Sequence, residues 1–427
     1  MKKLNVIILA VLICVLLSGC SGSLFASIDD LISPVSLSGD DAGILLAVDD
    51  FCNGSYSIKI PSTGKYTTSF ITCDLDGNNS LEAIAFFEPN DNLGNVNMAV
   101  LSKTNEQWKV TGNVTGEGSD VKQIDIFDLN NDGRKEVIVC WSVLSNSTMS
   151  NLCVYTLDDE FKPVSLGDSI TASDFTCLDM NNDDINELLV FKYASINESP
   201  KAELYSFKDK EKHFIGQTKL DSSIVSFSSI TKGNTDAGLC VYADGVCSDG
   251  KSMVTEFLYW SDYYDSVISP FYSYSTGKTS DTSRNNLIIC RDINGDGFIE
   301  IPLDDDSLNL PEGITAQNWV SYERTVLNSK AYSIACKNDG YLLMLSKDLL
   351  SQAKFIYDSK NRELKAFDGD NEIFSILTTI KSSYDSDDYS GYTQVMSDSG
   401  LVYLACVNSD NSFKLNIDTI STSIKTY

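Results

Sequence analysis

Four segments of the chain repeat a nine-residue pattern of oxygen-bearing side chains, Asp-x-(Asp/Asn)-x-(Asp/Asn)-x-x-x-Glu. In each copy, positions 1, 3, 5 and 9 supply three carboxylates and one amide, and position 7 can add a backbone carbonyl. Ca²⁺ takes about 6 to 8 such oxygens in a flexible shell, whereas zinc and copper prefer the thiols and imidazoles that these positions lack. The sequence therefore predicts about four calcium sites. Their ligands are Asp74, Asp76, Asn78 and Glu82; Asp128, Asn130, Asp132 and Glu136; Asp179, Asn181, Asp183 and Glu187; and Asp292, Asn294, Asp296 and Glu300.

Position 6 of the pattern must let the chain turn back so that the oxygens converge on one ion. It is Gly133 or Gly297 in two copies and Asn79 or Asp184 in the others, and these residue types tolerate positive φ. A turn that binds nothing is the alternative for a single copy, but four copies ending in glutamate favour the metal. An EF-hand is excluded, because it needs an acidic residue at position 12, where the copies have Ala85, Val139, Val190 and Leu303.

Short apolar runs flank the metal loops. Runs of four or five apolar and β-branched residues between turn signals are typical of buried strands, so each loop is predicted to connect the strands of a hairpin. The runs before the loops are residues 70–73, 124–127, 175–178 and 287–290, and those after the first three are residues 83–87, 137–141 and 188–191. Two further strands fit into each period, at residues 97–102 and 107–114, 152–157 and 161–166, and 202–207 and 214–220.

The first three loops recur at a period of roughly 52 residues, and each period holds four predicted antiparallel strands. This is the composition of one β-propeller blade. The third and fourth loops are 113 residues apart, which leaves room at residues 224–273 for a blade without a metal loop. The predicted fold is therefore all-β: a β-propeller of about 5 to 7 four-stranded blades with calcium-binding hairpin loops, followed by a small C-terminal module.

With these loops, the chain resembles the FG-GAP or VCBS repeat, the calcium-stabilised blade also found in the head of the integrin α-subunit. The resemblance covers residues 66–335 and implies calcium in the loops named above. The Phe-Gly and Gly-Ala-Pro elements that name the FG-GAP repeat are absent from the sequence, so integrin-like ligand recognition is not implied. Residues 58–66 and the C-terminal module are also similar to uncharacterised lipoproteins of Gram-positive anaerobes, a similarity of architecture and not of activity.

The N-terminus predicts export and anchoring. Basic residues followed by the apolar run 4–17 are typical of a signal peptide too short to span a bilayer. The run ends in Leu17-Ser18-Gly19-Cys20, which is similar to a bacterial lipobox; the resemblance implies cleavage after residue 19 and lipidation of Cys20, with palmitate as one acyl chain. An ordinary secretory signal is the alternative. Residues 20–65 are predicted to form a tether with a short helix near 41–51, on the extracytoplasmic face of the cell membrane.

Charge excludes one class of partner. The chain has 60 acidic and 32 basic residues, a formal net charge of −28, and would be repelled by nucleic acid. Ten cysteines remain besides Cys14 and Cys20, and most lie in apolar strand runs, where free cysteine is a small buried hydrophobe. A disulfide between Cys240 and Cys247 stays open. The single histidine, His213, lies in a charged stretch, so no catalytic residue is predicted.

The domain boundaries follow from the fading of the period after about residue 339. Residues 66–339 are predicted to form the propeller. Residues 340–427 are predicted to form a separate α+β module or irregular blades, with strands at 342–345, 354–357, 364–367, 373–380 and 401–407 and a closing helix at 413–424.

The expected function is a binding or scaffolding module for an extracytoplasmic protein or glycan, because the sequence combines a rigid scaffold and an anchor with no catalytic constellation. The alternative is a calcium-dependent polysaccharide lyase or glycosidase on a propeller scaffold. An aromatic cluster between residues 260 and 274 fits either core packing, which is favoured, or a platform for sugars. Its members are Trp260, Tyr263, Tyr264, Phe271, Tyr272 and Tyr274.

Overall fold

The computed structural model describes residues 39–143, 149–195, 198–235, 238–398 and 400–427. The signal peptide, Cys20 and the start of the tether, all subjects of predictions above, lie outside these residues. The described chain is all-β, as predicted, with 52% of its residues in strands and 9% in helices. Its strands form six antiparallel sheets of four or five strands and one two-stranded ribbon, each of them an open sheet.

Sheets 1 to 3 share the predicted plan, in which one of the predicted metal loops connects two neighbouring antiparallel strands. In sheets 1 and 2, two short strands share one edge, so that each sheet is four strands wide. Sheet 1 contains β1 (Tyr56–Lys59), β2 (Phe70–Cys73), β3 (Glu82–Pro89), β4 (Asn97–Thr104) and β5 (Gln107–Thr115). Sheet 2 contains β6 (Asp120–Phe127), β7 (Glu136–Ser142), β8 (Ser150–Leu157), β9 (Pro163–Ser165) and β10 (Ile170–Ala172). Sheet 3 contains β11 (Asp174–Leu178), β12 (Glu187–Lys192), β13 (Lys201–Ser206) and β14 (His213–Lys219).

Sheet 4 occupies the stretch predicted to lack a metal loop. Its strands are β15 (Ile224–Thr235), β16 (Gly238–Cys247), β17 (Met253–Ser261), β18 (Ser266–Ile268) and β21 (Ser283–Arg284). The ribbon follows β18 along the chain and is formed by β19 (Tyr272–Ser273) and β20 (Lys278–Thr279).

Sheet 5 follows the fourth loop and departs from the prediction. Residues 287–290 are not a strand, and only an isolated bridge joins Arg291 to Glu300. The backbone of this segment is bound by side chains instead: the N–H of Cys290 donates to Asp244, and the carbonyl of Ile288 accepts from Arg284. The sheet contains β22 (Ile301–Asp304), β23 (Ile314–Glu323), β24 (Val326–Cys336), β25 (Tyr341–Met344) and β31 (Ile424–Thr426).

Sheet 6 forms the C-terminal part and contains β26 (Lys354–Asp358), β27 (Glu363–Asp368), β28 (Asn371–Ile380), β29 (Thr393–Asp398) and β30 (Leu401–Val407). The predicted closing helix is shorter than expected at both ends: it begins at Ile417, after the N-cap Asn416, and it ends at Ser423, because residues 424–426 pair with β25 as β31. The boundary at residue 339 stays a prediction, although it falls between the paired strands β24 and β25. The helices are α1 (Asp40–Cys52), which confirms the predicted lead-in helix, α2 (Lys347–Gln352) and α3 (Ile417–Ser423), and short 3₁₀ turns lie at Lys208–Lys210, Lys381–Ser383 and Ser386–Asp388.

Consecutive sheets pack face to face through shared apolar clusters. Because neighbouring residues of a strand point to opposite faces, adjacent residues of one strand enter different clusters: Ile138 packs towards sheet 3 and Val139 towards sheet 1. The same alternation links sheets 3 and 4, 4 and 5, and 5 and 6. The far side of sheet 1 is covered by Ile44 and Val48 of α1. The six sheets therefore form a stack in chain order.

Candidate metal centres

The four predicted loops share one hydrogen-bonding frame. We name them loop 1 (Asp74 to Glu82), loop 2 (Asp128 to Glu136), loop 3 (Asp179 to Glu187) and loop 4 (Asp292 to Glu300). In each, the N–H at position 2 donates to Oε2 of the glutamate, over 2.9 Å in loops 1 to 3 and 3.0 Å in loop 4. The N–H at position 6 donates to Oδ2 of the first aspartate in every loop, over 2.9 to 3.0 Å.

Two positions of each loop have positive φ. Position 6 has positive φ, as predicted. Position 4 also has positive φ, which was not predicted from the sequence. The signal was present, because every copy has glycine or asparagine at position 4. Gly77 also lies against the next loop, and a Cβ on it would lie 2.6 Å from the carbonyl oxygen of Gly133. The φ angles are 68°, 85°, 67° and 88° at position 6, and 76°, 57°, 58° and 82° at position 4.

The closing glutamates are buried, although glutamate is rarely buried without a partner. Glu136, Glu187 and Glu300 are fully inaccessible, and Glu82 is 2% exposed. Burial is the main reason that the pKa of each of the first three is raised to about 7, and it raises the pKa of Glu82 as well. Nearby aspartates of the same loop add to these shifts. Each loop thus holds a carboxylate in a place where a cation would relieve its charge.

Loops 1 and 3 bring three carboxylates together. Asp179, Asp183 and Glu187 offer oxygens that lie within 4.8 Å of one another, as do Asp74, Asp76 and Glu82. In loop 3, Oε1 of Glu187 is buried and has no hydrogen-bond partner among the described residues. A buried acceptor without a donor is costly, and a cation or a water molecule beside this oxygen would lower that cost.

Loops 2 and 4 place an amide between their carboxylates, and in the described chain they do not form such a three-carboxylate group. The side-chain nitrogen of Asn130 donates to Oε1 of Glu136 over 3.3 Å, and that of Asn294 donates to Oε1 of Glu300 over 3.0 Å. To coordinate a cation, each of these amides has to turn its oxygen towards the glutamate.

Position 8 connects one loop to the preceding one. Nζ of Lys135 in loop 2 donates to the carbonyl of Asp74 over 2.9 Å, and its backbone N–H donates to the carbonyl of Leu75 over 2.8 Å. Nδ2 of Asn186 in loop 3 donates to the carbonyl of Asp128 over 2.9 Å. In loop 4, position 8 is the apolar Ile299, which packs between sheets 4 and 5. Loops 1, 2 and 3 therefore lie next to one another, in the three sheets that begin the stack.

The other polar residues singled out from the sequence have different surroundings. The side chain of His213 is half exposed, and its nearest acidic partner is Glu211 at 4.0 Å. The ten cysteines of the described chain are all free, including Cys240 and Cys247. Among the described helices, none has the length and apolar character needed to cross a membrane.

Sheet 4 contains buried charges that the sequence analysis did not find. Arg284 and Asp244 form a fully buried ion pair, with 2.8 Å between Nη2 and Oδ1. Glu256 is also buried, and it accepts hydrogen bonds from Ser269 Oγ, Thr279 Oγ1 and the N–H of Asp221. None of these residues stands in a repeated motif, so only the folded chain brings them together.

No family model and no curated protein matches this chain. Among solved structures, it is similar to a hypothetical selenium-binding protein from Sulfolobus tokodaii at 11% identity and a TM-score of 0.32, covering 49% of this chain and 55% of that one. It is similar to rhamnogalacturonan lyase YesW at 13% identity and a TM-score of 0.33, and the match covers 66% of this chain and 49% of that one. It is also similar to the Bacillus licheniformis rhamnogalacturonan lyase PL11, at 10% identity and a TM-score of 0.30; the match covers 82% of this chain and 72% of that one. The chain spans about half the length of the first two structures, and TM-scores this low support no inference about fold or activity.

Proposed function

We propose that this chain is a calcium-stabilised β-propeller that acts as a binding or scaffolding module, held on the extracytoplasmic face of the cell membrane by a lipid on Cys20. The observation that carries the calcium sites is the buried, unpartnered Oε1 of Glu187 beside Asp179 and Asp183. Calcium bound there would replace the missing partner and neutralise part of an acidic loop.

The donor set of loop 3 fits a hard cation. Asp179, Asn181, Asp183 and Glu187 present only oxygen ligands, and the carbonyl of Ile185 can complete the shell. The shared frame holds one oxygen of Asp179 and one of Glu187 by backbone N–H groups, so these carboxylates are oriented before the ion arrives. Loop 1 offers a second site of the same kind. Loops 2 and 4 become sites three and four when their amides rotate.

The number and size of the sheets support a propeller. Six sheets of four or five strands, stacked in chain order through alternating faces, have the composition of six blades. The loops of sheets 1 to 3 join β2 to β3, β6 to β7 and β11 to β12, and the position-8 side chains connect each loop to the preceding one. Ions in these loops would therefore hold neighbouring sheets together and keep an outer surface rigid for a partner.

Calcium titration of the purified chain tests the proposal. Isothermal titration calorimetry should give about four sites with dissociation constants of about 10⁻⁴ to 10⁻³ M, as in extracellular calcium modules. The double variant Asp128→Ala, Glu136→Ala should lose one site. Asp358→Ala is the matched control, because Asp358 also binds backbone N–H groups in a turn but belongs to none of the four loops.

The outcomes of this titration are decisive. No heat of binding, or an unchanged number of sites in the double variant, would contradict the calcium sites. Cleavage of a polysaccharide by the purified chain would replace the binding role with the enzymatic alternative.

The anchor is tested in a bacterial cell by labelling with palmitate. Cys20→Ala should lose the label and move from the membrane fraction to the soluble fraction. Cys14→Ala is the matched control, because it removes a cysteine from the same leader and should keep both the label and the location. Membrane retention of the unlabelled Cys20→Ala chain would refute lipid anchoring.

A further inference from the structure

The ribbon formed by β19 and β20 stands between two polar grooves. Groove A has a volume of about 470 Å³ and runs along β14 to Tyr274 at the tip of the ribbon. Groove B has a volume of about 480 Å³ and lies between β20 and the turn that joins β16 to β17. Both volumes lie within the range of ligand sites. The ribbon thus presents one side chain, Tyr274, to the first groove and another, Lys278, to the second.

Tyr274 is an exposed aromatic side chain at the edge of a polar groove. It is 76% exposed, although core packing was the favoured explanation for the aromatic cluster, so for this residue that explanation is wrong. Tyr272 contacts it edge to face, with ring centroids 5.0 Å apart and an angle of 88° between the planes. This contact orients the Tyr274 ring while leaving most of it in water. Such a ring offers an apolar face and a hydroxyl at one place.

The floor of groove B is built from hydrogen-bonding groups that are already fixed. Asp221 is 4% exposed, and its carboxylate accepts from Ser223 Oγ at 2.5 Å, from the N–H of Thr279 at 2.8 Å and from Lys278 Nζ at 3.2 Å. Behind it, Glu256 accepts from the N–H of Asp221. Although burial works to raise it, these hydrogen bonds lower the pKa of Asp221. The groove therefore has an ionised, rigid floor surrounded by serine hydroxyls.

The charges of the two grooves balance. Together the grooves present three carboxylates and three ammonium groups, on a chain whose net charge is −28. An anionic polymer finds no excess of positive charge there, and an apolar ligand would remove water from the ammonium groups and hydroxyls without replacing its hydrogen bonds. A ligand with many hydroxyls and no charge meets both conditions. The charged lining residues are Glu198, Lys201, Lys219, Asp221, Asp249 and Lys278.

We propose that the ribbon and its two grooves bind a neutral glycan, with one sugar ring stacked on Tyr274 and the hydroxyls of another sugar bonded by Lys278 and the serines of groove B, above the floor that Asp221 fixes. This inference rests on the proposed binding role and names its ligand class. It places the site away from the metal loops, so the two proposals can fail separately.

Affinity electrophoresis of the full chain tests this site. The gels contain hydroxyethyl cellulose, galactomannan, xyloglucan or dextran as neutral probes, and carboxymethyl cellulose as the anionic counterpart of the first. At least one neutral polymer should retard the chain, and carboxymethyl cellulose should not. Tyr274→Ala should weaken the retardation by about tenfold or more, the loss expected when one aromatic contact is removed. Tyr263→Ala is the matched control, because Tyr263 is 87% exposed and lines neither groove.

A second variant examines the other groove. Lys278→Met keeps the length of the side chain but removes its hydrogen-bond donors, including the one to Asp221. It should weaken retardation and also lower the melting temperature, because the buried Asp221 carboxylate loses its ammonium partner; a cooperative melting transition shows that the variant is folded. Retardation by no neutral polymer, equal retardation of Tyr274→Ala and the unmodified chain, or preference for carboxymethyl cellulose would each overturn the glycan site. Calcium calorimetry on the same sample separates the proposals: bound calcium without retardation rejects only the glycan, and retardation without bound calcium rejects only the metal sites.

Discussion

Replacing Glu187 with glutamine separates the cost of a buried carboxylate from the gain of binding calcium. The variant Glu187→Gln keeps the size of the side chain and an oxygen that can accept from the N–H of Met180. It removes the negative charge and the unpartnered Oε1. Without calcium, the charged form of a fully buried carboxylate is costly. The variant should therefore be at least as stable as the unmodified chain in the presence of a chelator.

With calcium, the order should reverse. A site that binds only the folded state stabilises it by about 2.7 kcal/mol when free calcium is about 100 times the dissociation constant. At a dissociation constant of about 10⁻⁴ M, this requires about 10 mM calcium. Glu187→Gln should lose most of that contribution, because glutamine offers calcium one neutral oxygen in place of a carboxylate. The other loops should still bind, so only part of the total calcium effect disappears.

Differential scanning calorimetry with about 10 mM calcium and with a chelator measures both differences. Glu203→Gln is the matched control: Glu203 is also buried in sheet 3 but is paired with Lys192 and Lys201. This control should lose stability equally in both conditions. Full calcium stabilisation of Glu187→Gln, or an equal loss of stability with and without calcium, would contradict a calcium site in loop 3.

Three further substitutions have expected outcomes. Asn186→Ala removes the hydrogen bond between loops 3 and 2 and should lower the free energy of unfolding by about 1 kcal/mol with no change in the number of calcium ions; a lost site in calorimetry would contradict this. Asp244→Asn leaves the guanidinium of Arg284 buried without its counter-ion and should cost about 3 to 5 kcal/mol, seen in urea unfolding; a loss below about 1 kcal/mol, the value for one ordinary hydrogen bond, would count against it. The third substitution tests a pH dependence. Burial raises the pKa of Glu256 from 4.5 to about 7, so the folded state holds this proton more tightly than the unfolded state. The stability that the protonated Glu256 contributes is complete below about pH 4.5 and is lost as the pH rises through 7. Between pH 5 and pH 8, the stability of Glu256→Gln relative to the unmodified chain should therefore rise by up to about 3 kcal/mol. Melting temperatures of the two proteins that change equally with pH would refute this.

The conformation of the four loops and the hairpins of loops 1 to 3 were predictable because their signals are local. The runs 70–73, 124–127 and 175–178 are strands in the structure, since apolar runs between turn residues have few other ways to bury themselves. The positive φ of Gly133 and Gly297 follows from the need to turn the chain within a few residues. In each case, the sequence that decides the conformation lies within about ten residues of it.

Other features could not be predicted because their partners are distant in the chain. Residues 287–290 have the composition of a strand, but their backbone groups bind Asp244 and Arg284. The contact of Asn186 with loop 2 joins positions 58 residues apart. The exposure of Tyr274 depends on the placement of the whole ribbon. A pattern in one segment contains no information about which other segment folds against it.

Sheet 4 contains none of the four loops, and a buried ion pair stabilises it instead. Arg284 binds Asp244, Thr255 and the carbonyl of Ile288, which ties three strands to the segment before loop 4 without a cation. Under the proposed function, in contrast, loops 1 to 3 hold sheets 1 to 3 with the help of bound calcium. If this division is real, removal of calcium should loosen the protein unevenly. Hydrogen exchange with a chelator should speed up in β3, β7 and β12 and stay unchanged in β16 and β17, since local opening follows local stability. Uniform acceleration across all five strands would show that the ions stabilise the stack as a whole, and not sheet by sheet.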